Sequence, residues 1–124
     1  MSELLRGVVV AHGAVAAAMV DAAEQISGVT GALIPVSNTG CDRGALEQRV
    51  VDAVDDSPAV VFVDMAAGSC LTAVLRQLRP REDVRVVTGV NLAMLLDFVF
   101  HRSLPAADAA TRAAGTGGAA IRIP

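Results

Sequence analysis

One stretch, Val8-Val9-Val10-Ala11-His12-Gly13, decides the fold of this chain. Four apolar residues run into a histidine and a glycine, and a segment with helical periodicity follows at once. This order is typical of a buried strand of a parallel sheet that leads into a helix. His12 is therefore predicted at the carboxyl end of a strand and beside the positive end of a helix dipole, where an anion such as phosphate is bound favourably.

Three more apolar runs follow, with helical periodicity between them. The predicted strands are Arg6–Ala11, Ala32–Val36, Ala59–Val63 and Val84–Thr88. Such alternation predicts βαβ units, and so an α/β fold with an open, mainly parallel four-stranded sheet flanked by helices. We expect the flavodoxin-like strand order 2-1-3-4, with the first strand inside the sheet.

The helical segments carry apolar stripes and recognisable end signals. Ser69 is a natural N-cap for the third helix, and the fourth helix begins at Asn91. The stripe predicted to face the core in the first helix consists of Val15, Ala18, Met19, Ala22 and Ile26.

Length, composition and charge limit the classes of protein to which this chain can belong. A length of 124 residues fits one domain, 1–124, and an aromatic content of 2% requires a core of small aliphatic side chains. The net charge of −3, without lysine or a basic run, argues against nucleic acid as a partner. No apolar stretch reaches the roughly 18 residues of a membrane span, and the start, Met1 to Arg6, is unlike a secretory signal, so a cytoplasmic protein is expected.

Right-handed crossovers place every strand-to-helix loop of a parallel sheet at one edge. The polar residues predicted at that edge are His12, Gly13, Ser37, Asn38, Thr39, Asp64, Gly68, Ser69 and Asn91. If strands one and three are neighbours, His12 meets Asp64, which would orient the imidazole as a nucleophile. The amides after Gly68 and the Ser69 hydroxyl would then receive a phosphoryl group, with no metal or cofactor required.

The carboxyl-terminal stretch changes character. Glycines at 115, 117 and 118 precede an alternating apolar segment, Ile121-Arg122-Ile123. Residues 114–124 are interpreted as a hinge followed either by a strand exchanged between subunits or by a frayed tail.

Three segments, in this order, resemble the enzyme IIA domain of the mannose class of the bacterial sugar phosphotransferase system (PTS). The first is the opening strand with His12-Gly13 and its helix. The second, Asp64-Met65-Ala66-Ala67-Gly68-Ser69-Cys70, is similar to the family's Asp-x-x-Gly-Gly-Ser-Pro loop. The third, Gly89-Val90-Asn91-Leu92-Ala93-Met94-Leu95, is similar to its Gly-Val-Asn-x-Pro-Met-Leu signature.

The resemblance implies a phosphocarrier. His12 would accept phosphate from phospho-HPr and pass it to a IIB partner for sugar uptake or regulation, with indirect association to the membrane components IIC and IID. Asp64 would orient the ring, and Ser69 would contact the phosphoryl group. From their place at the edge of the sheet, Gly13 and Gly68 are predicted to bind the phosphate as well. Ser37, Asn38, Thr39 and Asn91 are candidate rim contacts, and Thr39 and Asn91 are also typical of helix caps. A homodimer with an exchanged last strand is also implied.

Two departures and three alternatives accompany this interpretation. Ala67 replaces a loop glycine and Cys70 replaces the proline. The alternatives are the phosphotransfer subunit of dihydroxyacetone kinase, a regulatory protein that senses PTS phosphorylation without passing phosphate on, and a flavodoxin-like module that binds a nucleotide or an anion. The last lacks a GxGxxG fingerprint, because His12-Gly13 does not supply one.

Overall fold

A computed structural model describes residues 4–124, so Met1 to Glu3 lie outside the described residues. Strands and helices alternate along most of the chain. The elements are β1 (Arg6–Ala11), α1 (Val15–Ser27), β2 (Leu33–Ser37), α2 (Arg43–Val54), β3 (Ala59–Val63), α3 (Ser69–Leu78), β4 (Val84–Thr88), α4 (Leu92–Val99) and α5 (Ala106–Ala119). Within residues 4–124, no helix combines the length and apolar character needed to cross a bilayer.

The four strands form one parallel sheet in the order β2-β1-β3-β4, as predicted. Three strands have the predicted bounds, and β2 begins and ends one residue later than expected. The register explains the shift, because β2 pairs with β1 from Gly7 opposite Leu33 to Ala11 opposite Ser37.

Each face of the sheet carries one apolar layer. Helices α1, α4 and α5 cover one face, and α2 and α3 cover the other. Alternate residues of β1 enter the two layers: Val9 packs with the first and Val8 with the second. The Phe62 and Phe98 rings meet edge to face in the first layer, with centroids 5.4 Å apart. The central strands are thus fixed from both sides, and so are the loops at their ends.

The buried face of α1 differs from the predicted stripe. The helix buries Ala16, Val20 and Ala23, whereas Val15 is 43% exposed and Ile26 is 62% exposed. Because α1 packs against both the sheet and α4, the small side chains take the positions of closest approach. Val15 and Ile26 consequently remain at the surface, whereas Met19 of the predicted stripe packs against the core.

Helix ends confirm one predicted cap and correct another. The Asn91 side chain accepts a hydrogen bond from the Met94 amide, so it caps α4 as expected. Ser69 is not the cap of α3: Gly68 holds that position, and Ser69 is the first helical residue. Gly68 has φ +103° and ψ −175°, a conformation that a residue with a side chain rarely adopts.

The predicted glycine hinge is wrong, because residues 115–118 continue helix α5. Gly117 is buried, and a Cβ there would collide with the Met94 side chain of α4. The glycine therefore permits close helix packing, which the sequence pattern could not distinguish from a hinge. Residues 120–124 form neither helix nor strand in this single chain, and pairing with another subunit remains a prediction.

Candidate functional site

The pairing of β1 with β3 brings His12 and Asp64 together. Val10 lies opposite Val63, so the residues just after the two strands emerge side by side. Nδ1 of His12 lies 2.8 Å from Asp64 Oδ2, and the His12 backbone amide donates to the same oxygen at 3.0 Å. The His12 side chain is 39% exposed and that of Asp64 is 15% exposed. The rim thus presents an accessible imidazole on a mostly buried carboxylate.

The electrostatics of Asp64 favour its ionised form. Burial raises the pKa of the Asp64 carboxyl, but the hydrogen bonds and charge of His12 together lower it by more. The pKa therefore lies below its ordinary value of 3.8. An ionised carboxylate only accepts hydrogen bonds. The proton in this contact must therefore sit on Nδ1, which leaves the lone pair of the neutral ring on Nε2.

The loop between β2 and α2 holds the residue that follows His12. Gly13 donates its amide to Asn38 Oδ1 at 3.1 Å, and its carbonyl oxygen accepts from the Ser37 hydroxyl at 2.7 Å. The Ser37 and Thr39 hydroxyls lie 3.0 Å apart. Ser37, Asn38 and Thr39 thus lie at the same rim as His12, and their side-chain hydrogen bonds are with Gly13 and with each other.

Helix α3 begins beside the imidazole. The amides of Ser69, Cys70 and Leu71 precede the first bond along the helix, from Thr72 N to Gly68 O, and have no acceptor among residues 4–124. By contrast, the Gly13 and Val15 amides near the start of α1 already donate to Asn38 Oδ1 and His12 O. The start of α3 thus contributes free amides beside His12, and Ser69 is exposed among them.

Cys70 is the contact that sequence reasoning missed. Its sulfur is fully buried, 3.8 Å from Nδ1 and 4.0 Å from Nε2 of His12. Burial raises the pKa of the Cys70 thiol and the Asp64 charge raises it further, while the Ser69 side chain opposes the rise. Ligand atoms of His12, Asp64 and Cys70 lie within 4.8 Å of one another, so this trio could hold a metal ion. Sequence spacing gave no sign of it, because His12 follows β1, whereas Asp64 follows β3 and Cys70 lies in α3.

Asn91 stays outside this hydrogen-bonded group. Its oxygen caps α4, and its amide nitrogen donates to Gly117 O at 3.0 Å. Both polar ends of the side chain therefore tie α4 to α5. The contact of Asn91 with a ligand at the rim stays a prediction, because both polar atoms of its side chain are already hydrogen-bonded to α4 and α5.

Comparison with family models gives a match over most of the chain. The profile of a family described as PTS system fructose IIA component (EIIA-man) matches residues 7–114. No curated protein sequence matches the chain.

Solved structures share the fold over nearly the whole length. A phosphotransferase system component EIIA from Streptococcus agalactiae is 19% identical with a TM-score of 0.89, and 97% of each chain is covered. A mannose/sorbose-specific IIA subunit from Enterococcus faecalis is 16% identical with a TM-score of 0.85, covering 98% of this chain and 96% of that one. At these identities the likeness establishes the fold.

Proposed function

The chain belongs to the family of PTS fructose IIA components, and on that premise we propose that His12 is the residue that accepts and passes on a phosphoryl group. The observation that carries the proposal is the 2.8 Å contact between His12 Nδ1 and Asp64 Oδ2 at an accessible rim. A nucleophilic imidazole needs a fixed tautomer and a free lone pair, and this contact supplies the first and leaves the second.

The chemistry follows from the tautomer. With the proton held on Nδ1 by Asp64, Nε2 attacks the phosphorus of a phosphohistidine on the donor. The bond from phosphorus to the donor nitrogen breaks as the bond to Nε2 forms. Asp64 stabilises the positive charge that develops on the ring. In a second transfer the bond from phosphorus to Nε2 breaks as a bond to the acceptor forms, and His12 returns to its neutral form.

The start of α3 is the proposed cradle for the phosphoryl oxygens. Its unpaired amides, Ser69 to Leu71, and the positive end of the helix dipole favour an anion by about 0.3–1 kcal/mol per charge. Gly68 provides the turn that lets these amides begin close to β3, and the Ser69 hydroxyl adds a donor. Gly13, whose amide is occupied, acts by holding the loop of His12.

The partners follow from family membership. Phospho-HPr is the proposed donor and a IIB component the proposed acceptor, in the cytoplasm, with IIC and IID reached indirectly through IIB. Ser37, Asn38 and Thr39 act as positioning residues, because their side-chain hydrogen bonds end on Gly13 and on each other.

A homodimer is the proposed assembly, with the C-terminal segment of one copy on the β4 edge of the other. The opposite edge, β2, contains Pro35, which has no amide proton, and its Ser37 carbonyl already accepts from Arg49. Beside β4 lies a groove lined by residues 85–88 and by small side chains of α5. Ile121 and Ile123 are 78% and 99% exposed in the single chain, so pairing would cover them.

Phosphoryl transfer from phosphoenolpyruvate through enzyme I and HPr tests the proposal. We expect one acid-labile, base-stable phosphate on the wild-type chain, located on His12 by peptide mass spectrometry. His12→Ala should remain unlabelled, while His101→Ala should label like the wild type. A wild-type chain that stays unlabelled, or a label that persists in His12→Ala, contradicts the assignment.

Discharge of the label distinguishes the carrier from its alternatives. A carrier loses its phosphate when a cognate IIB component is added, and a subunit of dihydroxyacetone kinase loses it to the other subunits of that enzyme. A protein that only senses PTS phosphorylation keeps its label with both. We expect discharge by a IIB component.

A further inference from the structure

We propose that His12, Asp64 and Cys70 form a binding site for a thiophilic divalent cation, for which Zn²⁺ is the probe. Imidazole nitrogen, carboxylate oxygen and cysteine sulfur are the three ligand types that Zn²⁺ takes in proteins. Here one of each lies at the same rim, within 4.8 Å of the others. The sulfur comes from Cys70, where the resembling family motif has proline, so the site is not a consequence of phosphocarrier function.

The distances between the His12 ring nitrogens and the Cys70 sulfur are close to those around a tetrahedral ion. Bonds of about 2.0 Å to nitrogen and about 2.3 Å to sulfur place these two ligand atoms about 3.6 Å apart. The Cys70 sulfur is 3.8 Å and 4.0 Å from the two ring nitrogens, so a shift of a few tenths of an ångström brings nitrogen and sulfur to that spacing. The three ligand atoms lie within 4.8 Å of one another, so closing the site also requires the carboxylate to approach by up to about 1.3 Å, a side-chain rotation.

Asp64 offers the third ligand. Asp64 Oδ1 is buried and has no hydrogen-bond partner among residues 4–124, while Oδ2 is held by the His12 amide. Buried polar atoms normally have a partner, and a cation bound between the carboxylate, the thiol and the imidazole would supply one for this oxygen.

The charge of Asp64 and the exposure of His12 to solvent are also compatible with a bound divalent cation. Within residues 4–124 the ion pair of Asp64 is with His12 alone, so no arginine neutralises the carboxylate. When the ion binds, the S–H bond of Cys70 breaks, its proton leaves to solvent, and the thiolate and carboxylate together balance the two positive charges. The exposed part of His12 leaves an entry path and a fourth position for water.

Occupancy has a consequence for His12, which rests on the proposed function. If the ion binds Nε2, it removes the lone pair that attacks phosphorus. If it binds Nδ1, it displaces the proton that Asp64 uses to orient the ring. In both cases the cation and the phosphoryl group exclude each other.

Cobalt spectroscopy on the reduced full-length chain tests metal binding without any phosphorylation. We expect Co²⁺ to give a thiolate-to-cobalt charge-transfer band that saturates at one ion per chain and disappears when Zn²⁺ is added. Cys70→Ser and Cys70→Ala should lose the band, and Cys41→Ala should keep it. A wild type without the band, or a band that survives in both Cys70 variants, overturns the site.

His12 is tested by affinity. His12→Ala should weaken Zn²⁺ binding by roughly 10–100-fold in calorimetry, and the matched variant His101→Ala should bind like the wild type. Circular dichroism of each variant confirms that it is folded. Equal affinity in His12→Ala and the wild type would exclude His12 as a ligand and overturn the proposal.

Mutual exclusion is tested last. The chain is phosphorylated, separated from its donors and titrated with Co²⁺, and we expect the band to appear only as the phosphate is lost. A phosphorylated chain with the full band contradicts the exclusion. A chain that never accepts phosphate contradicts the proposed function, and the band in the unmodified chain still decides the metal site.

Discussion

Asp64 holds His12 at two points through one oxygen: Oδ2 accepts from the ring Nδ1 at 2.8 Å and from the backbone amide at 3.0 Å. Ring and main chain are thus fixed by the same carboxylate, which the neighbouring strand supplies. The contact sets both where the imidazole points and which nitrogen carries its proton.

Removing the charge of Asp64 should slow phosphorylation of His12. Asp64→Asn keeps an oxygen for the backbone amide but does not stabilise an imidazolium, so we expect the initial rate of labelling by phospho-HPr to fall at least tenfold, about 1.4 kcal/mol of barrier. Asp56→Asn, at an exposed position after α2, is the matched control and should label at the wild-type rate. Equal rates for Asp64→Asn and the wild type would remove Asp64 from the mechanism.

The same carboxylate should make stability depend on acid. The folded-state pKa of Asp64 lies below its ordinary value of 3.8, so its contribution is fully present above that value and is lost as the pH falls through the lower folded-state pKa. Urea unfolding between about pH 6 and pH 3 should show the stability gap between wild type and Asp64→Asn shrinking at the acid end. A gap that stays constant over this range contradicts the shift.

The fold could be predicted from strong local signals in the sequence, and the central pair from the strand order that this fold imposes. Apolar runs separated by helical periods indicate a parallel sheet, and the order of strands then places His12 beside Asp64. The family model and the similar structures agree with that fold.

The remaining features depend on three-dimensional packing that no pattern encodes. The contact of Cys70 with His12 requires the helix start to lie against another strand end. The buried face of α1 depends on its packing against α4 as well as against the sheet. The glycines around Gly117 predict a hinge, but in the structure Gly117 packs against Met94 of α4. Each of these was decided by a neighbour distant in sequence.

The two cysteines should differ in reactivity. Cys70 is fully buried and its thiol pKa is raised, whereas Cys41 is half-buried. Because the thiolate is the reactive form, iodoacetamide at neutral pH should label Cys41 first and Cys70 more slowly, as measured by peptide mass spectrometry. Denaturant should bring the two rates together. Faster labelling of Cys70 in the folded chain would contradict its burial.

Two glycines of α5 should respond in opposite directions to alanine. A Cβ at Gly115 meets nothing within 4 Å, so Gly115→Ala should raise the free energy of unfolding by about 0.5–1 kcal/mol through helix propensity. Gly117→Ala forces its methyl group against Met94 and should lower it by about 1–3 kcal/mol. Urea denaturation measures both, and a stabilised Gly117→Ala would contradict the close packing of α4 and α5.

The exposed C-terminal isoleucines should decide the oligomeric state. If residues 121–123 pair with β4 of a second copy, charge at these positions leaves the monomer folded and prevents association, because aspartate removes the apolar side chains that pairing would bury and loses hydration in the groove. We expect the wild type to be a dimer by light scattering, and Ile121→Asp combined with Ile123→Asp to be a monomer with an unchanged circular dichroism spectrum. Leu4→Asp, at another exposed apolar residue, is the control and should remain dimeric. A dimer that survives the double substitution would place the interface elsewhere on the chain.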